Sequence, residues 1–343
     1  MGERGAWLSF LALSLALCLG LFGVFLYGEL GTSIRAESPL SVTVRRGESL
    51  TALSNRLHEE GVLEAPGYFR FLALLRGDSR RVKAGEFVVR GRVSPSALID
   101  DLVHGESRLW RFTIPEGLSI QEIAGKLERE GKGNAENFLR LSQDPEFIAG
   151  LDLPIPPPRP SLEGYLYPET YYFSAGTGEG ELLRNMVREF RQRAAPALER
   201  RATAVGLTPY QALVLASIIE KETGAPEERG IISAVFHNRL KREMRLYSDP
   251  TVIYGAANFN GNLTKKHLET ETPYNTYRVA GLPPTPIANP GLDSVSAALA
   301  PAPVDFLYFV AKGDGTHHFS TTYKAHSQAV WLYQKFPYKK RRS

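Results

Sequence analysis

Residues 42–61 read VTVRRGESLTALSNRLHEEG, and residues 112–131 read FTIPEGLSIQEIAGKLEREG. Eight positions of the two stretches correspond without a gap, at a constant offset of 112 − 42 = 70 residues. Each copy predicts a short alternating strand, a glycine turn, a serine N-cap and an amphipathic helix that stops at glycine. The sequence therefore indicates two related αβ units. The alternative is a chance match, since strand, turn and helix often follow one another.

The segments around the two copies predict further elements and a boundary. Between the copies, residues 84–89 predict a strand, and Ser94 followed by proline predicts the start of a helix over 96–103. Residues 154–160 read PIPPPRP, a proline-rich run that cannot continue a helix. We therefore expect the main domain boundary there.

The C-terminal half mixes helices with a few strands. Apolar residues at helical spacing predict helices near 182–190 and 231–240. Near the end, 306–310 and 318–320 flank Lys312–Gly315, a hairpin signal. Because these elements do not follow a regular βαβ alternation, the sequence predicts an α+β fold.

Composition and charge exclude some classes of protein. The 343 residues are 43% apolar and 23% charged, near globular averages, so wholesale disorder is not expected. Lys and Arg number 41 against 37 Asp and Glu, and residues 339–343, KKRRS, hold four of the positive charges. A nearly neutral body with a solvated basic tail argues against a nucleic-acid-binding protein. Cys18 is the only cysteine, which excludes an intramolecular disulfide.

Residues 6–28 predict a transmembrane helix. They are uncharged and rich in Leu, Phe and Ala, and at 1.5 Å per residue they reach about 35 Å, enough to cross a bilayer. A cleaved signal peptide and a buried core helix are the alternatives. Charges on either side, Arg4 and Arg35, favour an inside N-terminus only weakly.

One glutamate, Glu220, is a candidate general acid. Thr208 and Pro209 open a helix with a capping pattern, and the helix ends near Gly224. At about 100° per residue, Glu220 falls on a line of apolar and small residues, whereas Glu222 points to the other side. A carboxyl held against apolar neighbours can stay protonated at neutral pH, as a general acid at a glycosidic oxygen must. The alternative is a structural carboxylate paired with a neighbouring Lys or Arg.

Two later stretches are dense in polar and aromatic residues that can contact sugars. Residues 248–255 read SDPTVIYG, and residues 273–278 read PYNTYR. Both also suit plain turn formation. Residues 162–171, LEGYLYPETY, place Glu163 and Glu169 among aromatics, so these two are rival acids.

Other chemistries lack their sequence signatures. The seven histidines are scattered and lack the HExxH spacing, so we expect neither a metal site nor a cofactor. The sequence contains neither a Gly-x-Ser-x-Gly elbow nor a GxxxxGK loop, which removes the common serine-hydrolase and nucleotide-binding interpretations.

Ordered motifs in the C-terminal half carry a family resemblance. They are ASIIEKET at 216–223, VFHNRL at 235–240, SDPTVIYG at 248–255, PYNTY at 273–277 and GLPPTPI at 281–287. In these motifs the sequence resembles the YceG-like endolytic murein transglycosylases. The resemblance covers nearly the whole chain, including the anchor and a LysM-like membrane-proximal part.

The resemblance implies an activity and a location. Such proteins are bacterial inner-membrane, single-pass proteins with most of the chain in the periplasm or outside the cell. They cleave the β-1,4 bond between N-acetylmuramic acid and N-acetylglucosamine in nascent glycan strands and leave a 1,6-anhydro end. The implied partners are glycan strands, the membrane and a penicillin-binding synthase. A non-catalytic anchored glycan-binding scaffold is the rival class, and a hydrolase is a third.

The resemblance also assigns roles to residues. The catalytic glutamate of the family falls on Glu220, which would first donate a proton and then accept one, so that no carboxylate nucleophile is needed. Tyr247 departs from the smaller polar residue expected there. The expected substrate-binding residues are Asp249, Thr251, Tyr254, Asn275 and Tyr277.

The expected organisation has six parts. They are a cytoplasmic tail (1–5), the transmembrane helix (6–28), a LysM-like αβ module (41–105), a second αβ unit (106–153), a YceG-like catalytic domain (161–338) and the basic tail (339–343).

Overall fold

The chain folds into two compact units. The computed structural model describes residues 2–31, 34–35, 40–45, 47–89, 92–105, 108–257 and 259–336. The basic tail expected at 339–343 lies outside these residues. The first unit comprises Met1–Arg111 with Tyr172–Gly178, and the second comprises Phe112–Tyr171 with Glu179–Ser343.

The first unit combines helices with two small antiparallel sheets. Its helices are α1 (Gly2–Gly31), α2 (Leu50–Glu59), α3 (Pro66–Leu75) and α4 (Pro95–His104). The strands pair as β1 (Ile34–Arg35) with β4 (Arg92–Val93) and β2 (Leu40–Val44) with β3 (Gly85–Val89). Alternate residues of β3 are buried, and Phe87 packs with Leu57, Phe69 and Leu98 in one apolar core.

Both copies of the repeat have the same local structure. Gly47 and Gly117 adopt left-handed φ angles of 76° and 79°, which glycine tolerates without a steric cost. Ser49 and Ser119 then cap ten-residue helices, α2 and α5 (Ile120–Arg129), through their side-chain oxygens. The predicted strand–turn–helix pattern is therefore present in each copy.

Two further strands pair with each other, β5 (Leu109–Thr113) and β6 (Thr170–Ser174). The second unit is otherwise helical apart from one hairpin, β7 (Tyr308–Ala311) with β8 (His317–Ser320). Its further helices are α6 (Ala135–Leu141), α7 (Pro145–Ala149), α8 (Glu179–Arg193), α9 (Ala195–Arg201), α10 (Pro209–Glu222), α11 (Arg229–Lys241), α12 (Asp249–Gly255), α13 (Lys265–Glu269), α14 (Leu292–Leu299) and α15 (Tyr323–Val330). Short 3-10 turns and a π turn complete it at Ala202–Val205, Pro226–Glu228 and Trp331–Lys335.

Helix α10 is the central element of the second unit. Residues 212–219 are all buried, and the helix packs against α14, α9, α11 and α12. Ser217 donates to the carbonyl of Val214 (2.7 Å) and accepts from the amide of Ile287 (3.0 Å), so the polar atom inside this core is satisfied. The rigid core fixes the position of the C-terminal turn of α10.

The α+β class predicted from the sequence is confirmed by this mixture of helices and small sheets. The proline-rich run at 154–160, where we expected the main boundary, falls inside the second unit. Ile155 in that run is buried, and its carbonyl accepts a hydrogen bond from the hydroxyl of Tyr165 (2.7 Å). These contacts tie the run to the core of the second unit.

Among the residues whose side chains are described, no single helix is long and apolar enough to cross a membrane. Leu13–Phe25 is a shorter apolar helical stretch. Ala195–Val205 and Pro209–Glu222 reach the required length and composition only together, as a pair bent by 99°.

Candidate active site

Two glutamates at the end of α10 occupy different surroundings. The helix begins with a capping box between Thr208 and Gln211 and has proline in its first turn. It ends at Thr223, whose hydroxyl donates to the carbonyl of Ile219 (2.7 Å). Glu220 and Glu222, two residues apart on the last turn, therefore project to different sides, as the sequence predicted.

Glu222 lies in the wall of a cavity of about 700 Å³. Ser248 donates a hydrogen bond to its Oε1 (2.6 Å). Burial raises the pKa of Glu222 to about 7, and the nearby negative charge of Asp249 adds to the increase. A large fraction of Glu222 is therefore protonated at neutral pH.

The rest of the cavity wall is aromatic and polar. Tyr247 and Tyr277 meet edge to face with ring centroids 5.2 Å apart, and the hydroxyl of Tyr277 donates to Asp249 Oδ1 (2.6 Å). Tyr308 and His317 also line the space. Tyrosine rings can pack on sugar faces while hydroxyl and carboxylate groups bond sugar hydroxyls. Together with a protonated carboxyl, this lining suits acid catalysis on a carbohydrate.

Glu220 lies in different surroundings. Its Oε2 accepts a hydrogen bond from the amide of Gly291 (3.0 Å). A Cβ on Gly291 would come within 1.9 Å of Glu116 Oε1, so the Glu116 carboxyl packs directly on this glycine. Burial raises the pKa of Glu116, and the negative charge of Glu220 raises it further. Glu220 is not among the residues that line the cavity of Glu222.

The rival acid Glu163 is fully engaged inside the protein. It accepts hydrogen bonds from the amide of Ile120 (3.1 Å), the hydroxyl of Tyr254 (2.9 Å) and the side-chain amide of Asn289 (3.1 Å). Burial raises the pKa of Glu163 to about 8, although these bonds act in the opposite direction. With 2% of its surface exposed, Glu163 joins three segments of the second unit and does not reach solvent.

The other rival, Glu169, is a surface carboxylate. Its Oε1 accepts a hydrogen bond from the amide of Thr170 (2.8 Å). Arg193 lies 3.5 Å from its Oε2, and both side chains are substantially exposed. An exposed ion pair of this kind is typical of a solvated face.

The structure separates the five expected substrate-binding residues into two groups. Asp249 and Tyr277 lie in the cavity of Glu222. Tyr254 bonds Glu163 instead and lines a second cavity of about 910 Å³. Thr251 and Asn275 are buried and bonded within the protein, Thr251 to the carbonyl of Ser248 (2.7 Å) and Asn275 to the carbonyl of Thr270 (2.6 Å).

Sequence reasoning missed several residues at the site. Arg239, in the motif VFHNRL, is buried in the cavity wall, and His317 Nδ1 lies 2.7 Å from Glu228 Oε2. Asn289 also binds the amides of Gly164 and Leu166 through its Oδ1 (2.9 Å each). The sequence signal that could have identified these residues is a polar side chain among apolar neighbours in a helix or loop. Within the described part of the chain, no group of three His, Cys, Asp or Glu could hold a metal ion.

Comparisons with known proteins agree on one family. The model of the YceG-like family matches residues 42–331. An endolytic murein transglycosylase of Bacillus subtilis is 31% identical over 91% of this chain and 90% of its own length. One from Streptococcus pneumoniae is 30% identical over 85% of this chain, which spans only 58% of that relative. A crystal structure of a yceG-like protein from Listeria monocytogenes superposes with a TM-score of 0.58 at 31% identity, covering 85% of this chain and 99% of that one. The chain therefore belongs to the YceG-like family.

Proposed function

We propose that this chain is an endolytic murein transglycosylase. It cleaves the β-1,4 bond between N-acetylmuramic acid and N-acetylglucosamine within glycan strands and leaves a 1,6-anhydro end. The observation that carries the proposal is Glu222, a half-buried carboxyl in the wall of a cavity lined by tyrosines, with a pKa raised to about 7. The names of the relatives from Bacillus subtilis and Streptococcus pneumoniae support the same activity.

Glu222 acts first as acid and then as base. Protonated Glu222 gives its proton to the glycosidic oxygen as the bond from that oxygen to C1 of N-acetylmuramic acid breaks. The hydroxyl on C6 of the same sugar then forms a bond to C1, and its proton returns to the Glu222 carboxylate. Since Ser248 holds Oε1, Oε2 is the oxygen that carries the proton. The reaction uses no water and needs no second carboxylate.

We assign the acid to Glu222 although the sequence and the resemblance pointed to Glu220. The carboxylate of Glu220 is bonded to the backbone amide of Gly291 and packs near a second acid, Glu116. Glu222, in contrast, lines the tyrosine-rich cavity and has a raised pKa. Glu220 is therefore assigned a structural role at the end of α10.

Asp249 and Tyr277 are proposed to position the sugar. Their 2.6 Å hydrogen bond fixes both groups at the mouth of the cavity beside Glu222. Three other residues, Thr251, Tyr254 and Asn275, act indirectly, because they hold the segments that carry Asp249 and Tyr277. Asp249 lines the first cavity and its neighbour Pro250 lines the second, and we propose that the strand continues from one to the other. Cleavage inside a strand requires room on both sides of the bond.

We also propose the cellular context that the sequence predicted. Residues 6–28 anchor the chain in the bacterial inner membrane, with the bulk of the protein periplasmic or extracytoplasmic. Residues 41–105 form a LysM-like module that holds glycan near the membrane, residues 161–338 carry the chemistry, and a penicillin-binding synthase supplies the strand. Unchanged pull-down of sacculi after deletion of 41–105 would argue against the glycan-holding role, and recovery of the full chain in the soluble fraction would argue against the anchor.

Product analysis tests the activity. The full chain and its Glu222→Gln and Glu220→Gln variants are incubated with uncrosslinked glycan strands, and the products are identified by mass spectrometry. We expect internal fragments with anhydromuramic ends from the wild type and the Glu220 variant only. Reducing ends would mean a hydrolase, and no cleavage by folded wild type would mean a glycan-binding scaffold. Full cleavage by Glu222→Gln together with its loss in Glu220→Gln would return the role of acid to Glu220.

A further inference from the structure

Arg239 is a buried cation in the wall of the Glu222 cavity. Only 6% of its surface is exposed. Its Nε donates to the carbonyl of Leu307 (2.6 Å), and its Nη1 donates to the carbonyl of Leu246. Both acceptors are neutral, so they orient the guanidinium and leave its charge uncompensated.

The surroundings of the guanidinium hold it rigidly. Its central carbon lies 5.6 Å from the ring centroid of Tyr247 and 5.4 Å from that of Tyr308, within the range of cation–π attraction. Two hydrogen bonds and two aromatic contacts leave little freedom for the side chain. The guanidinium is therefore held in a fixed orientation in the cavity wall.

The cavity offers Arg239 no dedicated anion. None of the ion pairs formed among the described residues includes it. Asp249 accepts the hydroxyl of Tyr277, and Glu222 is neutral when it is ready to act as an acid. A buried charge without a partner is costly, so such a group at a cavity points to an anion supplied from outside.

We propose that Arg239 binds a carboxylate carried by the muramyl residue of the substrate. This inference rests on the proposed function. In murein, N-acetylmuramic acid carries an acidic substituent, either the lactyl carboxylate itself or the carboxylates of the peptide attached to it, and N-acetylglucosamine carries none. A guanidinium binds a carboxylate in a fixed geometry. Arg239 would thus decide which of the two alternating sugars presents its C1 to Glu222.

The experiment compares matched strands that differ by one carboxylate. One pair carries alanyl-glutamate stems with the glutamate carboxyl free or amidated. The other pair has no stems, with the lactyl carboxyl free or capped as a methylamide. Cleavage rates are measured for the full chain, for Arg239→Met and for the control Arg242→Met. The control removes an exposed cation that directly follows α11, the helix that carries Arg239.

We expect the wild type and Arg242→Met to cleave the free carboxylate form of one pair at least about tenfold faster than its neutral partner. The pair that shows the preference identifies the lactyl or the stem carboxylate as the ligand. In Arg239→Met the preference should disappear, and because the charge of Arg239 lowers the pKa of Glu222, the falling limb of the pH profile should move to higher pH for both members of each pair. Equal rates for both members of each pair with wild-type enzyme would overturn the inference and leave the proposed activity intact.

Two other outcomes, an unfolded variant and the absence of cleavage, need separate comparisons. If Arg239→Met does not fold, the wild-type comparison decides alone, because it needs no variant. If no strand is cleaved, the proposed activity fails, and calorimetric titration of the full chain with muramyl-alanyl-glutamate and its amide decides the inference separately. If Arg239 only tuned the acid, its replacement would shift the pH profile but leave the preference for the free carboxylate in place, which would also overturn carboxylate binding.

Discussion

The rate of glycan cleavage should fall as the pH rises through about 7, because Glu222 must be protonated to act. Burial raises the pKa of Glu222 from its ordinary 4.5 to about 7. With that value, about nine-tenths of the enzyme is in the acid form at pH 6 and about one-tenth at pH 8. We therefore expect an approximately tenfold loss of initial rate between these two pH values.

Replacement of the acid gives the matching loss of activity. General acid–base catalysis contributes about 10²- to 10⁴-fold, so Glu222→Gln should lose at least about a hundredfold in rate at pH 6. Glu220→Gln keeps an oxygen that can accept the amide of Gly291 and should retain most of the activity. Initial rates are measured by mass spectrometry of anhydro ends between pH 5.5 and 8.5.

Stability must be separated from catalysis in this assay. A carboxyl whose pKa is raised in the folded protein makes stability fall as pH rises from its ordinary pKa toward the raised one. Thermal melting at each pH therefore accompanies the rates. A flat rate between pH 6 and 8 with intact protein, or an active Glu222→Gln enzyme, would refute the assignment.

Three further changes test other parts of the structure. Ser248→Ala removes the hydrogen bond that lowers the pKa of the acid, so the falling limb of the rate profile should move to higher pH; a shift to lower pH would contradict the contact. Wild-type stability should fall as pH rises from about 4.5 to about 8, because Glu163 and Glu222 both have raised pKa values, and Glu163→Gln should remove the part of that slope that Glu163 contributes, including the part between pH 7 and 8, in thermal melts. Gly164→Ala, at φ 91° with its new Cβ 2.6 Å from Pro286, should destabilise more than Gly281→Ala, at φ 82° with open space. The second should cost about 1 kcal/mol in chemical denaturation, and equal losses would argue against the clash.

Local signals predicted much of the fold. The repeat was readable because glycine at 47 and 117 and serine at 49 and 119 are the residues that a left-handed turn and an N-cap require. The hairpin at the C-terminus was readable from Lys312–Gly315 for a similar reason. Short helices such as α13 were missed because five residues are too few to show a period.

The proposed acid lies on the helix that the sequence singled out, but on a different side of it from Glu220, the residue that the sequence favoured. An apolar stripe indicates a buried face only when the opposite face is solvated. Helix α10 is buried on every side from 212 to 219, so its pattern carries no directional information. The groups that shape the surroundings of Glu222, Ser248 and Asp249, lie 26 and 27 residues later (248 − 222 = 26; 249 − 222 = 27), and only the tertiary fold brings them to it.

The segment 287–291 explains why a second glutamate is needed on the last turn of α10. Residues 287, 289 and 291 of this segment each form a hydrogen bond to another part of the unit. The amide of Ile287 donates to Ser217 on α10, the side chain of Asn289 donates to Glu163, and the amide of Gly291 donates to Glu220. Two of these bonds, from Ile287 and Gly291, reach α10 itself. The bond from Gly291 to Glu220 therefore holds the end of the helix that carries Glu222, the proposed acid, which fits the structural role that we propose for Glu220.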